Sequence, residues 1–313
     1  MRKLRHIPAG GALVEVTTRT QQGRFFLRPS KEFNQIAVGV LARALKQAEG
    51  IKFCGTVVAS SHYHALLWTP DAQQLARFMT YLNGQLGRLV AKLHNWPDKV
   101  WSRRYQAIVV SDEEGAHENR LRYLLSHGLK EDLVWNMADW PGIHLAKNLV
   151  EGEPLRGYWI NRSKLSAARA AAKRKGQHPK TVNPMDFATF YEVPVEPLPG
   201  WADRPAEEYR AYVVDLVEQI EQATWERRLR DKPPILGRSR VLKVDPQHRP
   251  EHIKRSPAPA FHAATFKALK ALKEAYAWFV EAYRYAAEEL KKGNLDAVFP
   301  GGCFPPGLPF VPG

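Results

Sequence analysis

Cysteine is scarce in this sequence, with Cys54 and Cys303 the only two among 313 residues. Such a pair supplies neither a disulfide framework nor a zinc ribbon, and so low a cysteine usage is typical of the reducing cytoplasm. Uninterrupted apolar runs of about 18 residues are absent as well. We therefore expect no transmembrane helix, and because no apolar segment follows the basic residues Arg2 and Lys3 we expect no signal peptide.

Acidic residues are also few relative to basic ones. The chain has 32 acidic and 46 basic residues, a formal net charge of +14 and an isoelectric point near 9.8. A positive excess of this size indicates an anionic partner, most often nucleic acid. The alternative is a generically basic protein with no specific ligand.

Hydrophobic periodicity organises residues 1–136 into strands and helices. Ser30 is a good N-cap for the first helical pattern, and Gly50 follows its end. The predicted strands lie at 10–20, 51–60, 62–69 and 105–112, and the predicted helices at 30–50, 71–94 and 113–129. The first six elements follow the order β-α-β-β-α-β of the split β-α-β, ferredoxin-like fold, an antiparallel sheet with helices on one face. We therefore predict an α+β domain over residues 1–136.

The segment that follows this domain is strongly basic. Between Pro154 and Met185 there are eight lysines or arginines and no acidic residue. Charge runs of this kind often contact nucleic acid, although a solvated surface is the common alternative. We predict a basic linker or DNA-binding segment over residues 137–200.

The last third of the chain has helical patterns of its own. Apolar residues recur at helical spacing in 206–231 and again in 263–293, on either side of a basic, proline-punctuated connector. We predict that residues 201–313 form a mostly helical accessory domain. Its tail, from residue 299, is too rich in proline and glycine to form regular structure.

Two histidines lie on one predicted strand, within the run VVASSHYHALLWTP at residues 57–70. Side chains alternate across a strand, so His62 and His64 point the same way while Tyr63 points to the opposite face. Paired imidazoles can bind one metal ion, although two hydrogen-bonded surface histidines fit the pattern equally well. Since two ligands do not complete a metal site, the pair predicts a third ligand elsewhere.

A candidate third ligand lies on the predicted helix at 113–129. Tyr123 and His127 are four residues apart and therefore share one helical face. The alternatives are a half-buried core tyrosine and a histidine that complements the helix dipole. If both groups converge on the histidine pair, the combination suits attack on a phosphodiester. A divalent cation would neutralise a phosphate oxygen while the tyrosine hydroxyl attacks phosphorus.

The His-x-His run and its neighbours resemble a known family. The run is similar to the His-hydrophobic-His motif of the single-tyrosine HUH transposases, in the branch of REP-associated tyrosine transposases related to the insertion-sequence-200 type. GALVEVTTRT, LARFMTYLNGQLGRLVAKLH, VWSRRYQAIVVSDEE and LRYLLSHGLKEDLV resemble family segments in the same order, so the resemblance covers residues 8–136. The sequence departs from the family at Tyr63, and in having SHGLKED where an Asn-Pro stretch commonly follows the tyrosine helix.

The resemblance implies cleavage and joining of single-stranded DNA next to hairpin (REP or palindromic) sequences through a covalent 5′-phosphotyrosine, with Mg²⁺ or Mn²⁺ as cofactor. It implies His62 and His64 as metal ligands and Tyr123 as the nucleophile, and we take His127 as the third ligand. It also implies a cytoplasmic, nucleoid-associated bacterial protein, monomeric or homodimeric. Basic and aromatic residues suit single-stranded DNA, and the predicted DNA contacts are Trp101, Arg103, Arg104, Tyr105, Arg120, Arg122, Lys173, Arg174 and Lys175.

Two alternatives share the same domain. A catalytically silent, domesticated relative would bind nucleic acid through the sheet without cutting it. An HUH nickase of plasmid or phage replication would cut DNA, but such proteins often carry a helicase region or a second tyrosine, and no Walker-type glycine loop occurs here.

Overall fold

The structure is a computed structural model that describes residues 4–251 and 259–306. Its strands are β1 (Ala12–Arg19), β2 (Lys52–Ala59), β3 (His62–Thr69), β4 (Gln106–Val110), β5 (Leu155–Ile160), β6 (Ala188–Val193) and β7 (Phe261–His262). Its helices are α1 (Lys31–Gln47), α2 (Ala72–Leu93), α3 (Glu114–Leu125), α4 (Ala146–Glu151), α5 (Arg162–Arg174), α6 (Ala206–Asp231), α7 (Arg238–Lys243) and α8 (Phe266–Lys291). The strands and helices predicted within residues 10–129 are confirmed, although α3 ends earlier than expected.

Local sequence explains where the first two helices begin. The side chain of Ser30 accepts a hydrogen bond from the backbone N–H of Phe33 at 3.0 Å, and Asp71 accepts one from Gln74 at 2.7 Å. Each cap satisfies a backbone donor that the first helical turn leaves free. The predicted N-cap at Ser30 is therefore confirmed.

A five-stranded sheet forms the centre of the molecule, with strand order β2-β3-β1-β4-β7. The first four strands pair antiparallel with their neighbours, while the short β7 pairs parallel with β4. Strands β5 and β6 form a separate antiparallel pair. The α+β class is confirmed, and β7 was missed because it lies at the end of the segment predicted as a connector.

The helices lie on both faces of the sheet, which corrects the prediction of helices on one face. Tyr63 of β3 is buried and donates a hydrogen bond to Asn83 of α2 at 2.6 Å. The ring of His64, the next residue, lies 5.7 Å from the ring of Tyr123 on α3. Because neighbouring strand residues face opposite ways, α2 and α3 cover opposite faces. The predicted orientation of Tyr63 is confirmed.

The segment predicted as a basic linker contains folded elements. Strands β5 and β6 pack against α1, where two glycines permit close approach. A Cβ at Gly39 would lie 2.0 Å from the carbonyl oxygen of Tyr158, and one at Gly157 would lie 2.3 Å from a methyl carbon of Val38. The basic run Lys173, Arg174 and Lys175 is exposed at the end of α5.

The helices after residue 200 share the core of the sheet domain to different degrees. Helix α6 buries its predicted apolar stripe in that core: Tyr209, Val213, Leu216 and Ile220. Helix α8 buries Phe279 but leaves Phe266 of its predicted stripe 80% exposed. Residues 307–313 of the predicted tail lie outside the described residues. Within the described ranges, no helix combines the length and apolar character that a membrane crossing requires.

Replacing Gly39 with alanine tests the packing of β5 and β6 on α1. The added Cβ would lie 2.0 Å from the Tyr158 carbonyl oxygen, so either the β5–β6 strand pair or helix α1 must shift. We expect the free energy of unfolding, measured by chemical denaturation, to fall by about 1–3 kcal/mol.

Gly84→Ala on α2 is the matched control, because its Cβ would meet nothing within 4 Å. Alanine favours the helix over glycine, so this variant should gain up to about 1 kcal/mol. Equal effects of the two substitutions would contradict the close contact at Gly39.

Candidate metal centre and nucleophile

Strand β3 and the end of α3 bring the predicted metal ligands together. The imidazole centroids are 5.1 Å apart for His62 and His64, 4.6 Å for His64 and His127, and 6.0 Å for His62 and His127. One ligand nitrogen from each residue lies within 4.8 Å of the other two. The packing of α3 against β2 and β3 therefore brings together histidines that are distant in sequence.

His64 is oriented by the buried carboxylate of Glu15 on β1. His64 Nδ1 donates a hydrogen bond to Glu15 Oε1 at 2.7 Å, because a carboxylate can only accept. This contact assigns the proton to Nδ1 and leaves the lone pair on Nε2. His64 Nε2 is buried without a hydrogen-bond partner among the described residues. A buried lone pair of this kind fits a metal ligand.

His127 presents a lone pair in a similar way. Its Nδ1 lies 3.0 Å from the carbonyl oxygen of Tyr123 and 3.1 Å from that of Leu124. Both oxygens are acceptors, so Nδ1 carries the proton and Nε2 the lone pair. The Lys130 ammonium donates to this Nε2 at 3.2 Å. A positive group therefore already contacts the nitrogen that would face a metal.

Burial favours the neutral form of two of these histidines. It is the main cause that holds the pKa of His62 well below its usual range, and the charge of a protonated His64 would act in the same direction. The pKa of His127 is lowered by burial first, and then by His64 and Lys130. Neutral imidazole is the form that binds a metal, so both side chains stay in the binding form below the ordinary histidine pKa of about 6.5.

Glu15 also connects the triad to the far end of the sheet. Its Oε2 accepts a hydrogen bond from Arg120 at 3.2 Å and lies 3.3 Å from His262 Nε2 on β7. Burial opposes ionisation of Glu15, but the contacts with His262 and His64 and the charge of Arg120 hold its pKa well below the usual range. Sequence analysis missed this residue, although a single acid inside the apolar run ALVEV was a usable signal.

Tyr123 lies at the edge of the triad. Its ring centroid is 4.9 Å from that of His127 and 5.7 Å from that of His64. The Arg120 guanidinium lies 4.4 Å from the ring centre and the Lys130 ammonium 3.4 Å. Burial, with the charge of Glu15, raises the pKa of the phenol. The hydroxyl is therefore protonated at neutral pH unless a cation stabilises the phenolate.

The donor set fits a divalent metal ion. Three imidazoles can supply three nitrogen ligands, and two of them have their second nitrogen bonded to an oxygen acceptor, as metal-binding histidines usually do. Imidazole binds several divalent metals, so the set does not select one of them. His62, His64 and His127 are the residues that would hold the ion.

A cavity of about 240 Å³ opens beside the triad and is lined by His62 and His127. Its remaining wall is mainly apolar, with Phe25, Trp140 and Val241 of α7, and it also includes the carboxyl side chain of Glu131. Arg19 pairs with His62 across β1 and β3 and is exposed. The triad is thus bordered by an apolar cavity and by positive charge.

The predicted DNA contacts lie in four different places. Arg120 faces Glu15 and Tyr123, whereas Arg122 donates a hydrogen bond to Gln219 of α6. The Lys173–Lys175 run is exposed at the end of α5. The other four predicted contacts lie away from the triad and line a different cavity: Trp101, Arg103, Arg104 and Tyr105.

Comparisons with known proteins add little to this geometry. No protein-family model matches the chain, and no curated protein matches it significantly. The structure of a REP-associated tyrosine transposase bound to a REP hairpin is similar at 14% identity and a TM-score of 0.36, over 45% of this chain and 81% of that one. A Deinococcus radiodurans protein provisionally described as a transposase has 18% identity and a TM-score of 0.28, over 39% of this chain and 95% of its own.

Removal of one histidine tests the metal centre. The wild type should bind one Mn²⁺ per chain at neutral pH, and His64→Ala should weaken binding by about 100-fold or more, as measured by isothermal titration calorimetry. Protonated imidazole cannot bind a metal. Binding should therefore be lost as the pH falls through the lowered pKa values of His62 and His127, below the ordinary histidine pKa of about 6.5.

The matched control for this test is His178→Ala, at an exposed histidine after α5. It should bind Mn²⁺ as the wild type does. Equal losses in both variants, or full binding by His64→Ala, would contradict a site made by the triad.

Replacing Glu15 with glutamine tests the orientation of His64. The amide keeps the shape of the side chain but removes the charge that His64 and Arg120 contact. We expect Mn²⁺ affinity to fall about 10–100-fold. The fraction of His64 that carries its proton on Nδ1, measured by NMR, should fall as well. Glu49→Gln, at an exposed position after α1, should change neither quantity. Unchanged affinity in Glu15→Gln would show that the carboxylate does not act on the metal site.

Proposed function

We propose that this protein is a metal-dependent, single-stranded DNA endonuclease and strand transferase, a transposase that cleaves and rejoins DNA next to hairpin sequences. It would belong to the REP-associated tyrosine transposases and use a ferredoxin-like HUH domain. The observation that carries the proposal is the position of Tyr123, whose ring lies 4.9 Å from His127 and 5.7 Å from His64. A metal centre and a nucleophile of the expected types therefore share one face.

The proposed reaction forms a covalent phosphotyrosine. Tyr123 Oη attacks the scissile phosphorus, the bond from phosphorus to the 3′-oxygen breaks, and the phenolic proton ends on the released 3′-hydroxyl. Mg²⁺ or Mn²⁺, when bound, neutralises a non-bridging oxygen and polarises phosphorus. The retained phosphotyrosine bond lets a second 3′-hydroxyl reverse the step and join the strands without an outside energy source.

The charges around Tyr123 suit this reaction. Arg120 is held by Glu15 at 3.2 Å and lies 4.4 Å from the Tyr123 ring centre. Its guanidinium stabilises a phenolate and, with Lys130 and Arg19, attracts an anionic strand. In its resting state the phenol is protonated, because burial raises its pKa. The nucleophile would therefore be activated only when substrate and metal are both present.

The cavity beside the triad suits a nucleotide next to the scissile phosphate. Its volume is about 240 Å³, and Phe25 and Trp140 supply aromatic surface. An unpaired base can stack on such surface, whereas a base within a duplex is already stacked on its neighbours. Single-stranded substrate is therefore favoured over duplex at this position. All the proposed ligands and the proposed nucleophile lie together within one chain.

Substitution of Tyr123 by phenylalanine tests the nucleophile. The change removes one oxygen, so the fold and the metal centre should be retained while adduct formation falls on the order of 1,000-fold or more. Labelled single-stranded oligonucleotides that contain a hairpin are incubated with Mn²⁺, and a protease-sensitive covalent adduct is measured on a denaturing gel. Tyr285→Phe, at a tyrosine that is 70% exposed on α8, is the matched control.

Two outcomes would contradict the proposal. An adduct that persists in Tyr123→Phe would place the nucleophile elsewhere. DNA binding by the wild type with no adduct under any divalent metal would instead support a domesticated nucleic-acid-binding protein.

A further inference from the structure

A second cavity lies on the face of the sheet opposite the histidine triad. Its volume is about 450 Å³, within the range of small-molecule sites. Met79 and Asn83 of α2 form one wall, and Asn83 also accepts the hydrogen bond from Tyr63. Since Tyr63 and His64 face opposite ways, this cavity is separated from the triad by the sheet.

Three arginines line this cavity without a carboxylate partner. Arg5 is partly buried and Arg103 and Arg104 are exposed, and none of them forms an ion pair with an acid of the described chain. Burial lowers the pKa of Arg5, Tyr105 opposes this effect, and the charge of Arg104 lowers the pKa further. A cation that is partly withdrawn from water and has other cations beside it is unfavourable unless an anion joins it. The arginines therefore indicate an anionic ligand.

The same cavity offers aromatic surface and a buried hydroxyl. The side chains of Trp101, Phe279 and Tyr283 line it. Tyr105 is only 8% exposed, and its hydroxyl lies beside the Arg5 guanidinium. That guanidinium also lies 4.1 Å from the Tyr105 ring centre. A buried hydroxyl and a guanidinium next to aromatic rings suit a ligand with both a polar and a planar part.

We propose that this cavity binds one nucleotide, with its base against the aromatic side chains and its phosphate at Arg5, Arg103 and Arg104. Guanidinium groups bind phosphate in a fixed fork geometry, and aromatic rings stack on any base. The chemical class of this ligand is a nucleoside monophosphate, either free or within a strand. The second source rests on the proposed function, in which the cavity holds an uncleaved nucleotide of the DNA away from the metal centre.

Isothermal titration calorimetry with dAMP and dTMP tests the proposal, and thymidine and inorganic phosphate serve as probes of each half of the ligand. We expect at least one mononucleotide to bind at least about tenfold more tightly than either half. Arg5→Gln should weaken its binding about tenfold or more, the effect of losing a charge-assisted hydrogen bond. Arg77→Gln, at an exposed arginine of α2 outside the cavity, should bind as the wild type does.

A single-stranded octanucleotide distinguishes the two sources. If Arg5→Gln weakens binding of the octanucleotide as well, the cavity serves DNA. If only mononucleotide binding weakens, the ligand is a free nucleotide. Wild-type affinity of Arg5→Gln for both, or phosphate that binds as tightly as the mononucleotides, would overturn the proposal. The titrations are repeated in Tyr123→Phe, so that absence of cleavage and absence of this site are separate results.

A measurement on the wild type guards against misfolding of the arginine variant. Cys303 lines the cavity and is 5% exposed, whereas Cys54 lies elsewhere and is 1% exposed. Burial raises the pKa of both thiols, that of Cys54 to about 12. A saturating mononucleotide should slow alkylation of Cys303 severalfold, as followed by mass spectrometry, and Cys303→Ser identifies the modified site. Alkylation of Cys303 at an unchanged rate would overturn the proposal.

Discussion

The hydrogen bond from His64 to Glu15 is the contact on which the candidate site depends. It is 2.7 Å long and buried, and it determines which nitrogen of His64 faces the metal position. The same carboxylate accepts from Arg120, whose guanidinium then lies over the Tyr123 ring. One acidic side chain thus orients a candidate metal ligand and the cation beside the candidate nucleophile. A short parallel strand, β7, adds His262 to the same carboxylate.

A carboxylate in the core is unfavourable unless its oxygens are fully bonded. Glu15 meets this condition because His64 bonds one oxygen while Arg120 bonds the other, with His262 beside it. These partners come from β3, α3 and β7, three elements that are distant in sequence. Completion of the site therefore requires that these three elements pack together around Glu15. This coupling explains why the chain beyond residue 200 matters to a site whose ligands all lie before it.

Local patterns in the sequence predicted much of the fold and the centre of the site. Alternation along β3 placed His62 and His64 together, and the four-residue spacing placed Tyr123 of α3 beside His127, two residues after the end of that helix. Contacts between distant segments were not predictable in this way. The apolar stripe of helix α3 is weak, so periodicity could not predict which face of the sheet this helix covers. Tertiary packing also determines strand β7, the pairing of β5 with β6, and the partners of Glu15.

The alternation of β3 also separates the two functions that we propose. His62 and His64 face α3 and the metal position, whereas Tyr63 faces α2 and the cavity lined by the three arginines. A strand that slipped by one residue would exchange these faces and remove both sites at once. The pairing of Tyr63 with Asn83 opposes such a slip, because it satisfies a buried hydroxyl only in the observed register. Tyr63, between the two histidines, therefore has a structural role. Its hydrogen bond to Asn83 favours the observed register of β3.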